Sequence, residues 1–419
     1  MNSSDREIFP MHIMLIHQAF VTTGEAGGTR HIEFAKRLAA RGHRITIITS
    51  PVSYLSGESS LKSRSLWTKE QWAENIEIRY CWTSSGMHKG FVPRLLAFFS
   101  FMFSSFICAL NVKNVDLVWG TSPNLFQGWT AWLSARCKRT KCLLEIRDLW
   151  PEFAIAMGAL KNQGLIRLSQ WLERFLYNHA DRIIVNSPGF IPYIRDICGK
   201  TPDLVPNGAD AEMFSGQDGK AFREQYGLQD AFIVMYCGAH GPANDLETAL
   251  KAAKLLKERS DIRFVFVGSG KDKARLEALR EENGLQNVLF IPPVPKEQIA
   301  SVMAAENAGL AILKNLDMFK TTYPNKVFDI MACGDPVICQ IDGVIRDVVE
   351  ENKAGIFAEP GNPQSLADAV THLASVPEEC SRMGENGKRA ILEKFNRDEA
   401  AKQLETIFLS MTMERNKDQ

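Results

Sequence analysis

T-P-D-L-V-P-N-G-A-D, residues 201–210, divides this chain in two. Two prolines, a glycine, an asparagine and two aspartates in ten positions interrupt any helix or strand that would run through them. Upstream, Met11–Ile16 is a short apolar run, Glu33–Ala40 has helical period, and Arg44–Thr49 alternates like a strand. Asp116–Trp119 and Lys141–Ile146 read as further strands. Downstream the pattern restarts, with strands at Ala231–Cys237, Arg263–Val267 and Val288–Ile291 and helices at Leu246–Lys257 and Lys273–Asn283. Short strands alternating with helices imply an α/β protein with parallel, doubly wound sheets. A pattern that starts twice implies two such Rossmann-like domains facing each other, over 1–205 and 206–395. Ligands of these sheets bind at the carboxyl ends of the strands, so the cleft between the domains is the expected site.

The length agrees, since 419 residues exceed one ordinary core. Net charge is zero but unevenly spread: residues 1–205 hold 24 Lys/Arg against 16 Asp/Glu, and the remainder holds 25 against 33. A basic first half favours an anionic partner such as a membrane surface or a lipid pyrophosphate; scattered surface charge is the plainer explanation. Nucleic acid is not an expected partner, because the bias is diffuse and no DNA- or RNA-reading motif is visible. Nine cysteines without a C-x-x-C pair read as reduced, packed thiols of a cytosolic protein. The first residues, M-N-S-S-D-R-E, are polar and acidic, so no secretory leader is expected and the domains are placed in the cytoplasm.

Leu95 to Val112 runs eighteen residues without a charge, includes five phenylalanines, and is flanked by Arg94 and Lys113. That is short of the roughly twenty residues of a membrane span. Ser100, Ser104 and Asn111 fall near one side of a helix and leave a broad apolar face. The segment reads as an interfacial amphipathic helix or as a packing element.

Three motifs carry chemistry. P-N-K-V-F-D-I-M-A-C-G-D-P, residues 324–336, places a proline where a helix can begin, with Asn325 and Lys326 in its first turn. Such a helix start holds anions. Asp329 follows one turn later, and its carboxylate suits a pair of hydroxyls such as those of a ribose. Together these point to a nucleoside diphosphate. After the first strand, G-E-A-G-G-T-R-H brings Gly24, Gly27, Gly28, Arg30 and His31 to the start of a helix, where backbone N–H groups can approach a ligand. A tight helix–sheet turn would need the same glycines. Arg147 and Asp148 of R-D-L-W-P-E end the Lys141–Ile146 strand, either as a salt bridge or as groups that orient a sugar hydroxyl or phosphate.

In this order, G-G-x-R-H, R-D-L-W-P-E, P-N-G-A-D, V-G-S-G and N-K-V-F-D-I-M-A-C-G-D-P resemble bacterial glycosyltransferase family 4, and more narrowly its O-antigen, capsule and surface-polysaccharide branch. The resemblance covers roughly residues 11–400. It implies the GT-B fold, with acceptor on the first domain, nucleotide-sugar donor on the second, and a final segment 396–419 crossing back as a helix onto the first. It also implies retention of anomeric configuration, with no metal and no cofactor. Gly27 and Gly28 match the family's first loop, beside the donor diphosphate and the acceptor. Asp329 matches the second glutamate of the family's E-x7-E motif, which binds ribose, whereas the first falls on Thr321 and leaves the donor sugar unread. The family's G-R-x4-K diphosphate clamp falls on Gly238–Asn244, where Ala239 and Asn244 replace the basic residues. Lys326 is then the first candidate to neutralise the diphosphate, backed by Lys314 and Arg30. Arg147 stands where many members carry histidine and cannot act as a base.

The expected reaction moves a sugar, such as a UDP-linked N-acetylhexosamine, from a nucleotide-diphosphate sugar to a polyprenyl-diphosphate-linked saccharide at the inner face of the plasma membrane. Lys326, Arg147 and Asp148 are the expected catalytic residues, and Gly27, Gly28, Arg30, Lys314, Asn325 and Asp329 the expected substrate-binding set. A nucleotide-sugar 2-epimerase-like isomerase and a non-catalytic nucleotide-sugar or lipid-binding subunit remain as alternatives.

Overall fold

Strand polarity sorts the chain into two sheets. The computed structural model describes residues 10–417 apart from 26, 54–56, 61–64 and 87–89. The leader reading of residues 1–7 lies outside the described residues, as do the side chains of the C-terminal tail beyond Met413. The first sheet contains β1 (His12–Ile16), β2 (Arg44–Thr49), β3 (Trp67–Ala73), β4 (Ile76–Cys81), β5 (Leu117–Thr121), β6 (Lys141–Ile146), β7 (Arg182–Val185) and β8 (Asp203–Leu204). Its order is β3-β4-β2-β1-β5-β6-β7-β8, parallel except for the edge strand β3. The second contains β9 (Phe232–Cys237), β10 (Ile262–Val267), β11 (Val288–Ile291), β12 (Ala308–Ile312), β13 (Val337–Gln340) and β14 (Gly355–Phe357). These run in the order β11-β10-β9-β12-β13-β14, all parallel. Central strands such as β1 and β12 are buried along their whole length, as expected of strands covered on both faces.

Alternate residues of β1 face different layers. Ile13 and Leu15 pack with α1 (Arg30–Ala40) and the C-terminal helix Arg397–Lys417; Met14 and Ile16 pack with α2 (Phe91–Leu110) and α3 (Leu125–Lys138). The C-terminal helix thus returns to the first domain, where buried Phe408 meets Trp119 edge-on at 5.6 Å. Arg397 bonds Glu33 at 2.8 Å, and Glu405 takes both Arg41 and His43. The chain passes between domains at Ala209 and Asn396, which pair as a bridge. Gly208 is required there, because a Cβ would lie 2.1 Å from the Phe395 carbonyl oxygen.

In α2 the serines face inward. Ser104 Oγ donates to Trp82 O at 2.7 Å, and Ser100 Oγ accepts from Ser84 N at 2.8 Å. Phe101, Cys108 and Ala109 are buried with them, while Leu96 (56%), Phe99 (42%) and Phe103 (59%) are exposed. Instead of a polar outer face, the helix turns a bare apolar stripe outward, and its polar groups are spent on the β4 exit loop.

Candidate functional site

The helix Asn325–Cys333 begins one residue later than the proline suggests, with Pro324 as its N-cap and Lys326 at the second helical position. Its buried flank, Val327, Phe328, Ile330 and Met331, docks in the second domain's core, which fixes the direction of the polar first turn. Lys326 turns back beneath the end of β9. Its Nζ lies 2.8 Å from Tyr236 Oη, 4.0 Å from the centre of that ring and 3.3 Å from Asn244 Oδ1. Tyr236 Oη in turn donates to Ala239 O at 2.8 Å, so the hydroxyl can only accept from the ammonium. No carboxylate pairs with Lys326 among the described residues, and burial pulls its pKa down to about 7. A half-buried cation with only neutral partners is stabilised when an anion joins it.

The neighbouring loops meet as close-packed backbone. Gly268, after β10, carries φ +148°, and a Cβ there would sit 1.9 Å from Gly238 O. His240, between those loops, is fully buried with neither ring nitrogen bonded, and burial, with Lys273 and Lys326 nearby, lowers its pKa to about 4. Asn325 keeps a buried, unpartnered Oδ1 at the helix start. One turn on, Asp329 Oδ2 accepts from Lys296 Nζ at 2.8 Å, while Oδ1 has no partner among the described residues.

On the first domain the glycine loop and the β6 exit come together. Gly27 and Gly28 are exposed, and a Cβ on Gly28 would stand 3.7 Å from Arg147 Nη2. Arg147 Nη1 lies 3.4 Å from His17 Nε2, and its Nε is buried and unpartnered. Arg147 and Asp148 form no ion pair, which corrects the salt-bridge alternative. Burial raises the Asp148 carboxyl to about 6 despite the arginine's pull. Loop and second domain meet where Thr23 Oγ1 donates to Glu297 Oε1 at 2.8 Å and Lys296 N to Glu25 O at 3.4 Å. Ser187 Oγ donates to Thr321 O at 2.5 Å, and Phe153 meets Phe319 at 5.7 Å, so Thr321 lies on the seam between domains.

Two expected residues are elsewhere. Arg30 is 1% exposed and does not face the cleft: its Nε bonds Glu145 Oε1 at 2.9 Å, and Nη1 and Nη2 donate to Pro206 O and Val205 O. It pins the interdomain crossing and is no diphosphate ligand, a correction forced by the buried Glu145, which also accepts from His31 Nε2 at 2.7 Å. The His31 ring and the Arg30 guanidinium hold that carboxyl far below its ordinary range although burial opposes them. Lys314 is exposed and lines a depression of about 60 Å³ with Pro242, Asp245, Asp272 and Arg275, without contact to Lys326 among the described residues. Sequence reasoning missed Tyr236, Lys296 and His17. Tyr236 and His17 sit at or just after the carboxyl end of a strand, the one signal that marked them.

The arrangement offers an anion seat at one helix start, a carboxylate one turn on, and on the first domain the Arg147 guanidinium beside Gly28. Residues 27–208 match the family described as glycosyl transferase 4-like domain, and residues 218–390 that of glycosyl transferases group 1. The chain is 26% identical over 378 residues to the putative colanic acid biosynthesis glycosyl transferase WcaI of Escherichia coli K12, covering 87% of this chain and 92% of the relative. Among solved structures, sucrose-phosphate synthase from Thermosynechococcus elongatus superimposes with a TM-score of 0.76 at 19% identity, over 96% of this chain and 99% of the other. HepE of Anabaena in complex with UDP-glucose gives 0.71 at 17% identity, over 96% and 100%. The fold these share is GT-B.

Proposed function

We propose that this chain, a glycosyl transferase 4-like domain joined to a glycosyl transferases group 1 domain, moves a sugar from a nucleotide-diphosphate sugar to a polyprenyl-diphosphate-linked saccharide in surface-polysaccharide synthesis. The observation that carries the reading is Lys326: a half-buried ammonium at a helix start, held by Tyr236 and Asn244 and without a carboxylate partner among the described residues. The donor's diphosphate supplies the missing anion, and Asp329 takes the ribose hydroxyls. UDP is the favoured nucleotide, given the UDP-glucose complex of HepE.

Transfer proceeds with retention and without a metal. As the glycosidic bond lengthens, negative charge gathers on the leaving diphosphate, and Lys326 with the N–H groups of the helix start and the glycine loop stabilises it. The departing phosphate oxygen takes the acceptor's proton on the same face, so no side-chain base is needed. Arg147 orients the acceptor across the cleft, and Asp148, whose carboxyl burial raises to about 6, gives it a hydrogen-bond partner.

The bare stripe of α2 supports a lipid-bound acceptor. The Phe99 ring packs against Phe126 at 4.9 Å, tilted by 52°, Asn124 caps α3 by accepting from Phe126 N, and Asn124 Nδ2 reaches Gln18 beside His17. A chain of contacts therefore links the outer stripe of α2 to the loop that carries His17. Residues 91–139 hold five Lys/Arg against one Asp/Glu, which suits an anionic inner-membrane surface. The test is release of nucleoside diphosphate from a panel of nucleotide sugars with and without membrane-extracted lipid acceptor. Release that depends on the acceptor supports a transferase; acceptor-independent interconversion of the sugar indicates an epimerase, and no turnover of any donor a binding subunit.

A further inference from the structure

Lys296 opens the helix Lys296–Met303 and has no part in the donor grip described above, yet it is tied to that grip in two ways. Its Nζ bonds Asp329 Oδ2 at 2.8 Å, with both side chains largely buried (12% and 19% exposed), and its stem passes Phe214, whose ring centre is 5.2 Å from the ammonium. Its backbone N–H meets Glu25 O, and the next residue, Glu297, accepts from Thr23. Both partners belong to the glycine loop of the first domain. The turn that carries Lys296 is thus the place where that loop lands on the second domain.

Asp329 is one methylene shorter than the glutamate usual at its position, so its reach to a ribose depends more on orientation. Lys296 fixes one carboxylate oxygen and leaves Oδ1 open. We propose that Lys296 is a positioning residue for the donor's ribose, holding Asp329 with one oxygen free for the hydroxyl pair and linking that grip to the seating of the Gly24–Gly28 loop. The inference rests on the reading of Asp329 as a ribose ligand. Burial disfavours the ammonium, but Asp329 and then Glu33 outweigh it and keep it charged, so the pair persists across the physiological range.

A plain structural ion pair between helices would look the same in the free protein, and the ligand separates the two. Binding of UDP and of 2′,3′-dideoxy-UDP is measured by calorimetry for the full chain, Lys296→Met and Lys296→Arg, each checked for an unchanged unfolding transition. Lys296→Met is expected to weaken UDP binding by roughly tenfold, the scale of one hydrogen bond to a charged group, and to leave dideoxy-UDP binding at its wild-type value. Lys296→Arg is expected to restore most of the loss. Equal weakening for both nucleotides, or none, overturns the inference alone. If the wild-type chain binds UDP but does not distinguish it from the dideoxy form, the ribose reading of Asp329 fails and takes this inference with it. Should Lys296→Met unfold, Lys296→Gln is compared on the same two nucleotides and read by the same outcomes.

Discussion

Lys326 Nζ lies 3.3 Å from Oδ1 of Asn244, the position on which the family resemblance places the lysine of a diphosphate clamp. On that resemblance, the positive charge the loop after β9 lacks comes to the same place from a side chain on the helix Asn325–Cys333. Tyr236 holds it there, by its hydroxyl and the face of its ring.

The first consequence is a pH dependence of donor affinity. Lys326 is pulled down to about 7 in the free protein, and a bound diphosphate favours its charged form. Binding therefore takes up a proton above pH 7. Affinity is expected to be full below that value and to fall as pH rises, by at most about tenfold per unit. Calorimetry between pH 7 and 9, above the phosphate's own second ionisation near pH 6, measures it. Lys326→Arg keeps its charge throughout and is expected to flatten the profile.

Arg30 carries stability. Removing one member of a buried ion pair costs about 3–5 kcal/mol, because the remaining charge loses its partner. Arg30→Met strands Glu145 and frees the carbonyls of Val205 and Pro206. Denaturant unfolding is expected to shift by that amount. Nucleoside diphosphate affinity in the fraction that stays folded should remain within about twofold of wild type, since less than 0.5 kcal/mol is expected at a distant independent site.

Acid sensitivity follows from Glu33. Although burial opposes ionisation, Arg397, Lys296 and Thr29 hold its pKa at about 2 against an ordinary 4.5. A depressed carboxyl contributes stability that is complete above its unfolded value and lost as pH falls through its folded one. Unfolding free energy should therefore decline between pH 4.5 and 2. Glu33→Gln is expected to lower stability at pH 7 and to make that decline shallower, as read by urea titrations at several pH values.

At the membrane, the expected contact is the outer stripe of α2. Leu96→Ser, Phe99→Ser and Phe103→Ser, all exposed positions, should leave thermal unfolding within about 2 °C, since surface changes are usually within 0.5 kcal/mol. Flotation with phosphatidylglycerol vesicles should drop to background in the triple variant, and wild-type flotation should weaken with salt. Unchanged flotation of the variant would remove α2 as the contact.

Much of the fold was legible because parallel strands such as β2 and β6 are short, largely buried segments rich in apolar residues, and their bounds coincide with the expected segments. The edge strand W-T-K-E-Q-W-A was not legible, since an exposed, charged edge has no hydrophobic period to read. The donor helix could be read because its proline, lysine and aspartate are local. Its partners could not: Tyr236 is 90 residues from Lys326 and Lys296 is 33 from Asp329. Arg30 was misassigned for the same reason. Its motif marks a loop that enters a helix, but the direction of its side chain is decided by Glu145, 115 residues away on β6.

Nucleotide-sugar turnover by the purified chain beside Lys326→Met tests the central claim most directly. With the donor that the panel identifies, the expected result is a loss of about a hundredfold or more in kcat/KM, of the order seen when one group stabilising a leaving charge is removed, with the unfolding transition retained. Turnover by Lys326→Met within twofold of wild type would contradict the assignment of the donor diphosphate to this helix start.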